Sequence, residues 1–217
     1  MKKSISTIQC YLTVLFTVCF IISNILANKQ MQLPFGITMT CAIFCFPITY
    51  ILSDVFSEVY GYRWSRITCL LGFAANLIMV GLFTLAINSP APSYWQLQQS
   101  FRDVLGSTPR ILFSSLAAFL IGDFVNDIIF EKMRSLKGPI SGKFGSRAIL
   151  SSLCGELADS LIFIPLAFLG QMPLQTLAIM LITQVGLKVG YEIIIFPITN
   201  LCVKKLKNYE LKTKEVS

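Results

Sequence analysis

Apolar residues run along this chain in long blocks separated by short polar connections. A helix rising ~1.5 Å per residue needs ~20 such residues to cross the hydrocarbon of a bilayer. Six blocks qualify, at roughly 8–28, 36–57, 66–88, 109–131, 148–170 and 173–202. They use most of the 217 residues. The pattern therefore predicts an all-α polytopic membrane protein: six transmembrane helices forming a single transmembrane domain over 1–217, with no separate soluble domain. The first block follows Met1-Lys2-Lys3, as a signal peptide would. It is long for one, and no small-x-small cleavage site stands out near "NILANKQ", so it reads as a retained first helix.

Charge sharpens this picture. Only 13% of residues are charged, against about 25% in soluble domains. The net charge of +7 is not evenly spread. With the N-terminus on the cytosolic side, fourteen of the 18 Lys and Arg fall on cytosolic connections, among them Arg63, Arg66, Lys132, Lys143 and Lys204. Three fall outside, Lys29, Arg102 and Arg110, and Lys188 lies within a span. That asymmetry puts both termini in the cytosol. Basicity is then a topology signal, and no aromatic–basic interleaving suggests nucleic acid. The expected surroundings are the lipid of the cell (inner) membrane, and a homodimer is the default oligomer.

The connections carry their own signals. Residues 89–108, "SPAPSYWQLQQSFRDVLGST", mix Pro, aromatic and polar residues and suggest an interfacial segment with a short helix. Residues 132–147 form a basic, Gly-rich inner loop, and the last fifteen residues read as a charged tail. Pro47 and Pro197, in two copies of "FPIT", fall inside predicted spans, where each would free a backbone carbonyl.

Little here suggests enzyme chemistry. The chain has no His, no G-x-S-x-G and no H-E-x-x-H. Its seven cysteines lie in or at the ends of apolar runs and read as small hydrophobes, so neither a metal site nor a disulfide nor a cofactor is expected. What demands explanation is the set of ionisable residues inside the spans, since a lipid-facing carboxylate at mid-bilayer costs ~2.5–3.5 kcal/mol on insertion scales. Span 2 carries Asp54 and Glu58. Span 4 carries Asp123, Asn126 and Asp127. Span 5 carries Glu156, Asp159 and Ser160, and span 6 carries Lys188 and Glu192. Each set has i, i+3 or i, i+4 spacing and shares a helical face. Four such faces can line one interior cavity. At ~1.5 Å per residue, Asp159 and Lys188 come near mid-membrane, Asp123 and Asn126 a little below, and Asp54 and Glu58 toward the inner boundary. Ser23, Asn24 and Asn28 of span 1 lie nearer the outer side.

Such polar residues can also be interhelical glue, with Lys188 neutralising Asp159 or Asp123. Yet the acids outnumber the one intramembrane base, which invites a cationic or donor-rich ligand, or protons. A carboxylate accepts two parallel N–H bonds well. A guanine-like ring offers such a pair at N1–H and its 2-amino group, while its O6 wants a Lys or Asn donor. A cationic amine, a thiamine-like vitamin or a proton relay is equally compatible with these residues.

Residues 46–66, "FPITYILSDVFSEVYGYRWSR", resemble the queuosine precursor transporter family, which is grouped with vitamin uptake transporters. The likeness lies in a Pro-containing apolar run, then D-x-x-x-E-x-Y-G, then a basic pair; Ser65-Arg66 stands where Ala-Arg is common. "GELADSLIFIPLAFLG" is similar to a second family motif and "GDFVNDIIFEKMRS" to the fourth-span pattern. Lys188 matches the last-span lysine and "SNILANK" the first-span Ser-Asn. The resemblance implies import of 7-deazaguanines (preQ0, preQ1 or queuine) for salvage of a modified tRNA nucleoside. It implies Asp54, Glu58, Asn126, Asp159 and Lys188 as leading substrate-binding residues, with Asp159 reading the guanidine-like edge and Asp123 and Glu156 second. Asp54 and Glu58 could equally form an inner gate with Arg63 or Arg66. The six-span vitamin-uptake fold also admits a substrate-binding subunit driven by a separate ATPase, as the chain has no P-loop of its own.

Overall fold

Seven α-helices form the bulk of the protein in a computed structural model that describes residues 6–34, 38–135 and 144–216. They are α1 (Thr7–Leu26), α2 (Phe46–Val55), α3 (Tyr62–Asn88), α4 (Gln98–Leu105), α5 (Thr108–Ser135), α6 (Phe144–Phe168) and α7 (Leu174–Val216). Part of the expected inner loop, 136–143, lies outside the described residues, as do the side chains of Asp127, Arg134 and Glu192. Among the described residues, three helical stretches are long and apolar enough to cross a bilayer: Thr7–Leu26, Arg63–Asn88 and Gln98–Asn126; Leu174–Lys188 is apolar but shorter. The protein is a helical, multi-pass membrane protein.

Three local features differ from the expectations within this all-α fold. The second predicted span, 36–57, is not one helix. Its described part starts with strand β2 (Thr38–Thr40), continues as a 3-10 turn over Cys41–Phe44, and becomes α-helical only at Phe46. Pro47 therefore sits in the first turn of α2. There its missing N–H is no loss, because those donors have no intrahelical partner. Second, a short two-stranded sheet pairs β2 with β1 (Gln30–Gln32), a minor departure from all-α. Third, the charged C-terminal stretch is no loose tail: α7 continues to Val216. The run "KKLKNYELKTKE" has neither Gly nor Pro and is rich in good helix formers.

The chain divides into two compact units, taken in turn. The first comprises Met1–Lys29, Thr40–Thr108 and Tyr191–Ser217. Ser6 starts α1 with a capping box: its hydroxyl accepts from the Gln9 N–H at 3.1 Å, and Gln9 Oε1 accepts from the Ser6 N–H at 3.3 Å. Asn24 Nδ2 then donates to Asn76 Oδ1 at 2.8 Å, joining α1 to α3, and Asn76 Nδ2 donates to the Gly72 carbonyl at 2.9 Å. Phe20 stacks edge-on against Phe73, and a Cβ added at Gly72 would stand 2.8 Å from the Phe20 ring. Asn24 meets Asn76 and Phe20 meets Gly72, the same sequence offset of 52 in both pairs. A constant offset means that α1 and α3 run parallel, so the chain between them has to return.

Polar side chains share the interior of this unit with apolar ones such as Phe16, Phe20 and Phe56, and its outside is apolar. Ser23, Asn24, Thr68 and Asn76 are buried, whereas Leu70, Ile78, Leu82 and Leu85 form an exposed apolar stripe along α3. That is the arrangement expected when the solvent is lipid. The segment 89–108 contains the expected short helix, α4, tied to the end of α3 by Gln98 Nε2 donating to the Ile87 carbonyl at 2.7 Å. Asn28 accepts from Ser107 Oγ and donates to Thr108 Oγ1 at 3.3 Å. The first-span asparagines thus serve as helix fasteners.

The second unit comprises Gln30–Met39 and Pro109–Gly190. Along α5, Ser114, Ala118 and Gly122 form a buried row of small side chains at four-residue spacing, continued by half-buried Asn126, while Phe113, Leu120, Phe124 and Ile128 are exposed. The C-terminal end of α6 is capped by Arg110: Nε donates to the Leu166 carbonyl at 2.8 Å and Nη2 to the Leu169 carbonyl at 2.6 Å. A cation on the last carbonyls of a helix offsets both their unmet acceptors and the helix dipole. Gly170, at φ +84, turns the chain toward α7.

Candidate functional site

Two glycines let α5 and α6 approach within backbone contact. A Cβ built on Gly122 would stand 2.9 Å from the Gly155 carbonyl oxygen and 3.1 Å from Asp159 Cβ. One built on Gly155 would stand 2.8 Å from the Gly122 oxygen and 3.0 Å from Asn126 Cβ. The sequences there are alike, G-D-x-x-N at 122–126 and G-E-x-x-D at 155–159. In each, the polar residue one turn after the glycine shares its face and lies against the other helix's glycine. The crossing is thus a local two-fold arrangement that holds Asn126 and Asp159 on either side of it. Asp123 and Glu156 follow the two glycines directly; both are half-buried, and Glu156 Oε2 is enclosed.

The partner of Asp159 comes from α7. Lys188 Nζ donates to Asp159 Oδ2 at 2.6 Å, with the lysine side chain 10% exposed and the aspartate 27%. The expected pairing of Lys188 with Asp159 is thus present. Mutual neutralisation lets two charges lie in an apolar setting that would penalise either alone. The pair keeps acceptor capacity, since a carboxylate offers about four lone-pair sites and the ammonium occupies one oxygen. On α7, Gly186 and Gly190 bracket Lys188, and a Cβ added at either meets nothing within 4 Å. Ser160, next to Asp159, is fully buried with its hydroxyl unmatched.

The second unit thus brings together Asn126 and Asp159 at the crossing of α5 and α6, and Lys188 of α7 against Asp159; Asp123 and Glu156 lie beside the crossing glycines. Asp54 and Glu58 belong to the first unit. Asp54 is exposed near the end of α2. Glu58 lies in a π-helical turn over Phe56–Tyr60, anchored by buried Phe56, whose ring meets Phe16 at 6.1 Å. Gly61, at φ +90, ends the turn and starts α3. That backbone angle is the physical reason for glycine in the "EVYG" stretch. The expected gate partners of Glu58 were Arg63 or Arg66; the described one is Lys207, whose Nζ donates to Glu58 Oε2 at 3.1 Å with both side chains about half exposed.

Gly122 and Gly155 were not among the residues singled out from the sequence. The signal was present: each opens a polar motif within an apolar span, where small residues allow close helix contact.

Comparison with known proteins finds a family and a relative. A family model described as "Putative vitamin uptake transporter" matches residues 40–202. A protein named "Probable queuosine precursor transporter" from Bacillus subtilis (strain 168) is 26% identical over 195 residues, covering 89% of this chain and 82% of the relative. No solved structure matches.

Proposed function

The chain belongs to the vitamin uptake transporter family, and from that premise we propose that it imports queuosine precursors, 7-deazaguanines such as preQ0, preQ1 or queuine, across the cell's inner membrane. The likeness to a protein named as a queuosine precursor transporter supports the substrate class. Both termini then lie in the cytosol, as the distribution of Lys and Arg suggests.

The observation that carries the binding model is the Lys188–Asp159 pair at 2.6 Å. Asp159 receives the guanidine-like edge of the base, Oδ1 taking the 2-amino group and Oδ2 taking N1–H. Lys188, already bonded to Oδ2, then stands beside O6, the carbonyl oxygen on the ring atom next to N1, and donates to it. One ion pair thereby reads three adjacent positions of a guanine-type base and rejects an adenine-type edge, which reverses the donor at position 6 and leaves buried polar groups unmatched. Asn126, Asp123 and Glu156 supply further polar contacts. Asp54 and Glu58, in the first unit, act as an inner gate.

The test is uptake of labelled base in a host lacking its own importer, at matched expression. Asp159→Asn and Lys188→Gln each lower uptake at least tenfold, and guanine-type bases compete where adenine does not. Wild-type uptake by Asp159→Asn would refute the assignment.

A further inference from the structure

Glu210 is a carboxylate only 8% exposed, far along α7 from Lys188. Its Oε1 accepts from two hydroxyls: Ser6 Oγ, at the start of α1, and the Tyr60 phenol at 2.9 Å, in the π turn. One helical turn earlier on the same face, Lys207 reaches Glu58 of that π turn at 3.1 Å. The polar end of α7 therefore grips the turn at two points and the N-terminus of α1 at a third. The Lys207–Glu58 pair is half exposed and screened by solvent, so the bonds to buried Glu210 dominate. Burial pushes the Tyr60 phenol up to about 12; the Ser6 hydrogen bond works against this shift, and the bond to Glu210 and its charge add to it.

A π turn is uncommon, and it carries one residue more per turn than the α-helices on either side. Conversion to α-helix would shift the helical register and re-aim Asp54 relative to Glu58 and Tyr60. Outside the turn, Phe16 of α1 packs on Phe56, and the polar contacts to Glu58 and Tyr60 come from α7. We propose that the polar extension of α7 is a clasp that fixes the π turn between α2 and α3, with Glu210 as its positioning residue. Its consequence for uptake rests on the transport reading above: the clasp sets the geometry of the cytoplasmic end of the path and thus the turnover rate, leaving substrate affinity to the residues around Asp159.

Hydrogen–deuterium exchange on the full-length protein in detergent tests the clasp without any substrate. Glu210→Ala and Tyr60→Phe each speed exchange over residues 56–61 about tenfold, while peptides from α5 stay unchanged. Glu210→Gln, which keeps the accepting oxygen, stays within twofold of wild type. Unchanged exchange over 56–61 in Glu210→Ala or Tyr60→Phe overturns the clasp, as does acceleration spread equally through α5. In uptake, Glu210→Ala lowers the maximal rate about tenfold at unchanged KM, and Glu210→Gln restores it. A raised KM with an unchanged maximal rate overturns the positioning role. If the wild type takes up no 7-deazaguanine, the transport reading fails while the exchange measurement still decides the clasp.

Discussion

Adding one methyl group at Gly155 should pry apart the helices that carry the site. In Gly155→Ala the new Cβ would lie 2.8 Å from the Gly122 carbonyl oxygen and 3.0 Å from Asn126 Cβ, where ordinary contact begins at 3.4 Å. Neither neighbour is the free end of a flexible side chain, so the two backbones must part by about 0.6 Å, the difference between 3.4 and 2.8 Å. Overpacking of this kind costs about 1–3 kcal/mol. Alanine also recovers about 1 kcal/mol of helix propensity, which would mask part of the loss. Gly186→Ala is the proper comparator: it gains the same propensity, and its Cβ meets nothing within 4 Å. The difference between the two variants then isolates the clash. With about 2–4 °C of Tm per kcal/mol in a chain of this size, thermal unfolding in detergent should separate them by about 5 °C. Uptake should fall as well in Gly155→Ala, because Asp159 sits one turn along the displaced helix. Equal melting temperatures for Gly155→Ala and Gly186→Ala would refute the close crossing and the site built on it.

Arg110→Ala removes both donors from the end of α6 and should lower stability by about 1–2 kcal/mol, read as a Tm loss that Arg110→Lys, with a single ammonium, only partly recovers. Tyr60 should titrate at about 12 rather than 10. Its folded pKa is raised, so the stabilisation is fully present below about pH 10 and disappears as pH rises from about 10 to 12; the difference absorbance of wild type against Tyr60→Phe measures this, and an ordinary phenol midpoint near 10 would contradict the buried contact with Glu210.

Much of this was legible in the sequence because lipid imposes simple rules. Blocks of apolar residues gave the long helices α1, α3, α5 and α6 with boundaries displaced by a few residues. The i, i+4 spacing of Glu156 and Ser160 around Asp159 marked a polar face, and the pairing of Asp159 with Lys188 was among the expectations. The second span misled because hydrophobicity reports burial, not conformation: residues 38–44 belong to an apolar block yet adopt strand and 3-10 turn. The helical extension after Val203 was missed because charge was read as solvation, whereas Glu210 is buried by partners about 150 and 204 residues away in sequence. Such long-range contacts have no local signature. For the same reason, nothing local showed that Asn24 and Asn28 are satisfied by Asn76, Ser107 and Thr108.

The parallel pairing of α1 with α3 has a consequence for biosynthesis. A ribosome finishes α1 before Asn76 exists, because 52 residues separate it from Asn24. At about 5–20 residues per second, the Asn24 amide waits about 3–10 s for its mate. During that interval the nascent first helix carries an unmet polar group that only water, the insertion machinery or neighbouring protein can satisfy. Any slowing of translation between codons 24 and 76 prolongs this exposed stage, so the tempo of synthesis, and not just the final packing, bears on how much chain matures correctly.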